Sequence, residues 1–251
     1  MAGTLSLLNL SIKYGELALV EDVSLDVGAG RLCVLMGPNG AGKSSLLKAI
    51  AGHPDFLLSA GKILLNGIEI NNLPPEERSR RGIFLAFQNP IDLPGVSVAQ
   101  LLKGARQARL QAGETFDVIS FYGELYTALG SLSMDRSWAN RSVNEGFSGG
   151  ERKRCELLQI LLLKPSFVLL DEIDSGLDVD ALVLVGEALR RLRETGTGIL
   201  LVTHSRKLLE ILVPDGVAVL QEGRIVRSGG PELAAEIERH GFQPFTGERH
   251  E

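Results

Sequence analysis

Eight consecutive residues, Gly37-Pro38-Asn39-Gly40-Ala41-Gly42-Lys43-Ser44, match the P-loop pattern at every position. The glycines let successive backbone N–H groups point into one concavity with no Cβ in the way. A helix opening near Lys43 adds about half a positive charge at the same place. Polyphosphate is the natural occupant, so the run predicts a nucleoside triphosphate site spanning Gly37 through Ser45. Lys43 would reach the β- and γ-phosphates as a point charge, and the Ser44 hydroxyl would ligate Mg²⁺. Further along, Phe167-Val168-Leu169-Leu170-Asp171-Glu172 is an apolar run ending in two acids. Asp171 is suited to the Mg²⁺ shell and Glu172 to polarising an attacking water. Phe147-Ser148-Gly149-Gly150-Glu151 is a second glycine-rich helix start, able to present N–H groups and a hydroxyl to an anion. The same residues would also serve as a simple helix cap, with Glu151 three positions after Ser148.

The elements that must position these groups follow from periodicity. Thr4 to Ile12, Ala18 to Val27 and Lys62 to Ile70 read as strands, the last with an Asn66-Gly67 pair suited to a type I′ turn. Arg31 to Met36 is the strand that delivers the P-loop. From about Gln88 the period changes, and Val98 to Gln111 and Asp117 to Leu129 carry apolar residues at helical spacing. A helix after Gly150 ends before Pro165. Alternation then resumes: strand Phe167–Asp171, helix Asp178–Arg193, strand Ile199–Thr203. That alternation implies a parallel sheet covered by helices. A hairpin around Glu222-Gly223 and a helix from Pro231 to about His240 complete the chain, which shows no internal repeat.

At 251 residues and 44% hydrophobic content the chain can build one large α/β domain. Its formal charge of −5 disfavours a nucleic-acid partner. The two basic clusters, Arg78-Ser79-Arg80-Arg81 and Glu151-Arg152-Lys153-Arg154, read as solvated helix faces. Cys33 and Cys155 have no metal-ligand spacing and read as reduced thiols. No apolar run approaches the roughly 18 residues of a membrane span, so no direct membrane insertion and a cytoplasmic location are expected.

Taken together, these landmarks resemble the ABC ATPase family, whose cassette carries in order a P-loop, a Gln loop, a Ser-Gly-Gly signature, an Asp-Glu strand end, a D-loop and a switch His. The likeness runs from about Leu5 to Phe242. It implies a RecA-like core with an antiparallel β subdomain (residues 1–87 and about 165–251) and an inserted helical subdomain bearing the signature (about 88–164), all within one ABC ATPase domain, residues 1–251. By resemblance, Gln88 senses Mg²⁺ and water. Ser148, Gly149 and Gly150 close on the γ-phosphate of a partner subunit. Ser175-Gly176-Leu177-Asp178 is the D-loop, and His204 is the switch. Tyr14 lies where such cassettes often place an aromatic under adenine, a contact of roughly 1–3 kcal/mol. The family also implies ATP and Mg²⁺ as ligands, Glu172, His204 and Gln88 as hydrolytic residues, and a transient ATP-dependent homodimer.

The wording of the motifs narrows the likeness. Asn144-Glu145-Gly146-Phe147-Ser148-Gly149-Gly150-Glu151-Arg152-Lys153-Arg154 and the Gln-loop stretch Phe84-Leu85-Ala86-Phe87-Gln88-Asn89-Pro90-Ile91-Asp92-Leu93-Pro94-Gly95-Val96 are similar to the SufC branch of that family. The resemblance implies partnership with SufB and SufD scaffold proteins in iron–sulfur cluster assembly. The chain departs from that branch at Ser205, commonly Tyr, and at Cys155, commonly Asn. The motor of a membrane transporter is the alternative, because it would use the same cassette. A chromosome or repair ATPase head would need a coiled-coil insertion and basic surfaces that the chain lacks.

Overall fold

The computed structural model describes residues 3–88, 90–110 and 113–242. Two sheets carry the architecture. In the first, β1 (Thr4–Tyr14) pairs antiparallel with β2 (Leu17–Gly28) on one side and with β4 (Phe56–Leu65) on the other, and β5 (Ile68–Glu69) closes the order β2-β1-β4-β5. The inward residues of β1 are Leu5, Leu7, Leu10 and Ile12. The step of three between Leu7 and Leu10 coincides with a register shift at Asn9, φ 48°. A bulge there lets both halves keep their apolar face inward. Asn66 and Gly67 have φ 54° and 79°, as a type I′ turn requires. β4 begins at Phe56, six positions before the Lys62 expected from alternation, because its first half pairs with the end of β1.

The second sheet has the order β12-β11-β3-β10-β9-β6: β3 (Leu32–Met36), β6 (Ile83–Ala86), β9 (Phe167–Asp171), β10 (Gly198–Val202), β11 (Gly216–Gln221) and β12 (Arg224–Gly229). Its ladders are parallel except for the β11–β12 hairpin. Every residue of β3, β9 and β10 is buried. Their side chains alternate between two cores. Val34, Val168, Leu170, Ile199 and Leu201 face one apolar cluster, while Leu35, Phe167, Leu169, Leu200 and Val202 face the other. The second cluster also takes in the antiparallel sheet and α1 (Lys43–Ala51). The first takes in α6 (Val179–Glu194), α8 (Pro231–His240) and the helical segment that follows β6.

That segment holds α3 (Val98–Gln107), α4 (Val118–Ser131) and α5 (Gly149–Leu163). Ser97 and Gln100 form a capping box at the start of α3, and Asp117 caps α4. The helix expected over 98–111 ends at Gln107, and Gln111 lies outside the described residues. Two short strands not expected from periodicity, β7 (Leu93–Ser97) and β8 (Ser142–Val143), pair across the base of this segment. They are too short to show an alternation of their own. Two short helices, α2 (Pro75–Arg80) and α7 (Arg206–Ile211), also escape the sequence pattern.

Of the basic run 78–81, Arg80 and Arg81 are exposed as expected, whereas Arg78 is not. Arg78 is 3% exposed and donates to the carbonyls of Ala49, Ile50, Asn71 and Leu73 at 2.7 to 2.9 Å. Two of those carbonyls belong to the last turn of α1, whose unsatisfied acceptors attract a cation. Arg78 thus supplements the left-handed Gly52 cap (φ 85°) at the end of the helix that begins at the P-loop.

Candidate active site

The parallel strands bring their C-terminal ends to one edge of the sheet, where open α/β sheets bind ligands. β3 delivers the P-loop, β6 delivers Gln88, β9 ends at Asp171 and Glu172, and β10 leads to Thr203 and His204. Residues 39–45, Gln88, Glu172 and His204 line a common cleft of about 820 Å³. Glycine is obligatory at two P-loop positions. At Gly37 (φ 156°) a Cβ would sit 2.0 Å from the Leu220 carbonyl oxygen, and at Gly42 (φ 102°) one would sit 2.8 Å from the Leu19 carbonyl oxygen.

Lys43 is buried, and its Nζ donates to Gly37 O at 2.7 Å and Pro38 O at 2.9 Å. Burial lowers its pKa, against the opposing pull of Glu172 and Asp171. The loop therefore holds the ammonium along its own backbone, with one donor left for an anion. Ser44 Oγ lies 3.1 Å from Asp171 Oδ1. Burial raises the Asp171 carboxyl, the hydrogen bond from Ser44 lowers it, and the Glu172 charge raises it again. Ser44 and Asp171 present hard oxygen donors at a spacing that one small cation bridges, which suits Mg²⁺ completed by phosphate and water oxygens.

Glu172 adopts φ 50°, uncommon for a side chain of this size. Its N–H continues the ladder to Val202 O at 3.0 Å, and its carbonyl accepts from Ser175 N–H at 3.0 Å, so backbone contacts on both sides enforce the turn. Gln88 Nε2 donates to Glu172 Oε2 at 2.7 Å. His204 stands between two anchored neighbours. Thr203 Oγ1 donates to Asp174 Oδ2 at 2.8 Å, and Ser205 Oγ caps α7 by accepting from Leu208 N–H. Partial burial and the Lys43 charge lower the imidazole pKa, opposed by Glu172 and Asp174, so the ring is neutral at pH 7. Ser205, a departure from the SufC pattern, thus has a local role as a helix cap.

The signature lies apart from this cleft. Ser148 caps α5: its Oγ accepts from Glu151 N–H at 3.3 Å, and its own N–H donates to Glu151 Oε2 at 2.7 Å. Arg141 lies against the rings of Trp138 and Phe147, 4.1 and 4.3 Å from their centroids, while the rings meet edge to face at 4.6 Å, and it pairs with Glu151 at 3.2 Å. These contacts fix the approach to the helix. Gly149 lines a smaller groove of about 310 Å³ that shares Gln88 and Ser175 with the main cleft. Ser148, Gly149 and Gly150 do not line the main cleft. Asp178 caps α6 through Ala181 N–H at 2.8 Å and stands outside the cleft as well. Tyr14 is half exposed and packs on the Phe56 ring at 5.5 Å, while Leu19 of β2 is the apolar residue that lines the cleft. Ser175 of the D-loop lines the cleft, as do three residues outside the expected site set: Leu19, Asp174 and Ser205. The last two adjoin motifs and could have been found by adjacency, whereas nothing in the alternation of β2 marks Leu19. Asn89 of the Gln-loop stretch lies outside the described residues.

Lys153 is a second correction to the solvated-face reading: it is 5% exposed and belongs to the interior. Cys33 and Cys155 are free and buried, and burial pushes both thiols up to about 12.

A P-loop at the end of a central parallel strand, with Asp171 and Glu172 at the same edge of the sheet at the end of β9, one strand removed across β10, defines a P-loop nucleotide-binding protein of the ABC cassette fold. The family model described as ABC transporter matches residues 20–175, and the chain belongs to that family as an ATP-binding ABC ATPase domain. It is 44% identical over 236 residues to the probable ATP-dependent transporter ycf16 of Cyanophora paradoxa, covering 93% of this chain and 91% of that protein. With vegetative protein 296 of Bacillus subtilis (strain 168) it shares 40% identity over 241 residues, 96% of this chain and 92% of the relative. Among solved structures, an ATP binding subunit of an ABC transporter superposes with a TM-score of 0.81 at 25% identity, covering 97% of this chain and 99% of that one. The dimeric structure of MJ0796, a bacterial ABC transporter cassette, gives 0.78 at 21% identity over 90% and 98% of the two chains, a likeness of fold alone. Among the described residues no helix is long and apolar enough to cross a membrane.

Proposed function

We propose that this chain is the ATP-hydrolysing subunit of a Suf-type iron–sulfur cluster assembly machine, closing on a second copy of itself to reshape a SufB/SufD-type scaffold. The carrying observation is the pair of contacts Ser44–Asp171 and Gln88–Glu172, which set cation donors and a candidate base side by side beneath the P-loop. Backbone N–H groups of residues 37–45 cradle the phosphates at the start of α1, and Lys43 turns its remaining donor to the β- and γ-phosphates. Ser44, Asp171 and Gln88 would hold Mg²⁺, which when bound would neutralise charge on the transferring phosphoryl group. The Glu172 carboxylate accepts a proton from the water that attacks the γ-phosphorus, while Gln88 orients that carboxylate and neutral His204 contacts the γ-phosphate. Tyr14 contributes an exposed ring for adenine.

Ser148, Gly149 and Gly150 stand outside their own cleft, so their anion-binding end serves the copy opposite, with Asp178 and its loop at the seam. The helical subdomain of about 88–164 carries this signature, and the core of 1–87 and about 165–251 carries the P-loop. The Suf assignment rests on the signature and Gln-loop wording. A transporter motor is the second reading, favoured by the word transporter in the names of relatives such as the ycf16 protein. Purifying the untagged chain from its own cell separates the two: scaffold subunits of SufB/SufD type support the proposal, and integral membrane permease subunits overturn it. Lys43→Ala tests the shared ATPase reading. It should abolish productive ATP binding, and unchanged affinity and turnover would refute the site.

A further inference from the structure

Lys153 and Glu156 are three positions apart on α5, which places them on one face of the helix. Both are buried, at 5% and 3% exposure, with Nζ 3.3 Å from Glu156 Oε2. The ammonium also donates to Phe87 O at 3.2 Å and Gln88 O at 3.3 Å. The Glu156 carboxylate also faces the Phe87 backbone, which draws its pKa down. One ion pair therefore holds the carbonyls of Phe87 and Gln88 and lies against the Phe87 backbone. These are the first residues after β6 leaves the edge of the sheet, and the β6–β9 ladder stops at Ala86. Among the described residues no strand lies beyond β6 to fix the exit by pairing.

A buried ion pair is a poor way to gain stability, since apolar residues of similar volume usually do as well or better. The chemistry at the other end of Gln88 suggests what this pair is for, because the side-chain amide of the same residue meets Glu172 at 2.7 Å. We infer that Lys153 and Glu156 are positioning residues for hydrolysis: they hold the Phe87–Gln88 backbone so that the Gln88 amide meets Glu172, and so link the signature helix to the nucleotide cleft. Ser148 caps the same α5, little more than one helical turn before Lys153. A displacement of that end is felt first at the Gln-loop carbonyls. Burial pushes the Glu156 carboxyl up while Lys153 pulls it down, so the carboxylate relies on Lys153 for its charge. The inference rests on the reading of Glu172 as the base and adds to it the residues that place its neighbour.

The test compares the full wild-type chain with Lys153→Met, Glu156→Gln, Lys153→Arg and the double variant Lys153→Met/Glu156→Met, at a concentration where wild type turns over. The two neutralising single variants leave one buried charge unpaired and should lose stability. The double variant removes that penalty. It should melt close to wild type, keep its KM for ATP within about twofold, lose kcat by about 10- to 100-fold and exchange the Phe87 amide proton faster. Lys153→Arg keeps the cation and its donors and should recover much of the rate. A double variant with wild-type kcat overturns the inference, whether or not Phe87 exchange changes, and so does a loss that falls on KM with kcat intact. Wild-type turnover by Glu172→Gln would instead overturn the underlying assignment of the base. The exchange measurement would still report whether the pair holds the loop.

Discussion

The Gln88 amide donates to the Glu172 carboxylate over 2.7 Å, a contact between positions 84 apart in the chain. It exists because β6 and β9 are neighbours in a parallel sheet and end at the same edge. Glu172 is held on the backbone side by Val202 and Ser175 and on the side-chain side by Gln88, so its carboxylate is oriented before any substrate arrives.

Glu172→Gln keeps shape and an acceptor for Gln88 but removes the base. Nucleotide affinity should stay near wild type while turnover falls by on the order of 10²–10⁴. Equilibrium binding of a fluorescent ATP analogue and single-turnover hydrolysis measure the two quantities separately. Wild-type turnover would take Glu172 out of the mechanism.

Ser148→Arg should leave ATP binding by the single subunit nearly intact and collapse turnover in the closed pair. The substitution also removes a helix cap, at a cost of about 1 kcal/mol. Ser148→Asp is the control, because it keeps the cap yet sets a negative charge against the γ-phosphate. Its melting temperature should match wild type while its turnover is lost. Specific activity of the wild type should rise with protein concentration, as mass action completes each site. Flat activity on dilution together with normal hydrolysis by Ser148→Arg would rule out a shared site.

Arg78→Leu should destabilise the fold by about 3 kcal/mol, since it strips a charged donor from four carbonyls. Arg80→Leu, at an exposed position two residues on, should stay within about 0.5 kcal/mol of wild type. Urea denaturation compares them, and equal midpoints would show that Arg78 does not support α1.

Both thiols should resist alkylation at pH 8 in the native protein and react fully once it is unfolded. Burial raises them from 9.0 to about 12, so the folded state retains protons that the unfolded state has released across that interval. Stability therefore falls as pH rises from about 9 toward about 12. Rapid labelling of native Cys155 would contradict its burial.

The features legible in the chain were those that depend on near neighbours. Glycine spacing sets the P-loop because the backbone angles at Gly37 and Gly42 admit nothing else, and Asn66-Gly67 sets its hairpin for the same reason. Ser148 and Glu151 cap a helix across a single turn. The two basic clusters misled because charge alone says nothing of depth. Besides near acceptors, Arg78 and Lys153 each meet carbonyls 28 to 66 positions away, which no local pattern encodes. Alternation of strand and helix implied a parallel sheet but left its order open. The packing of two apolar faces set β6 beside β9 at the sheet edge, and on that placement depends whether Gln88 meets Glu172 at all.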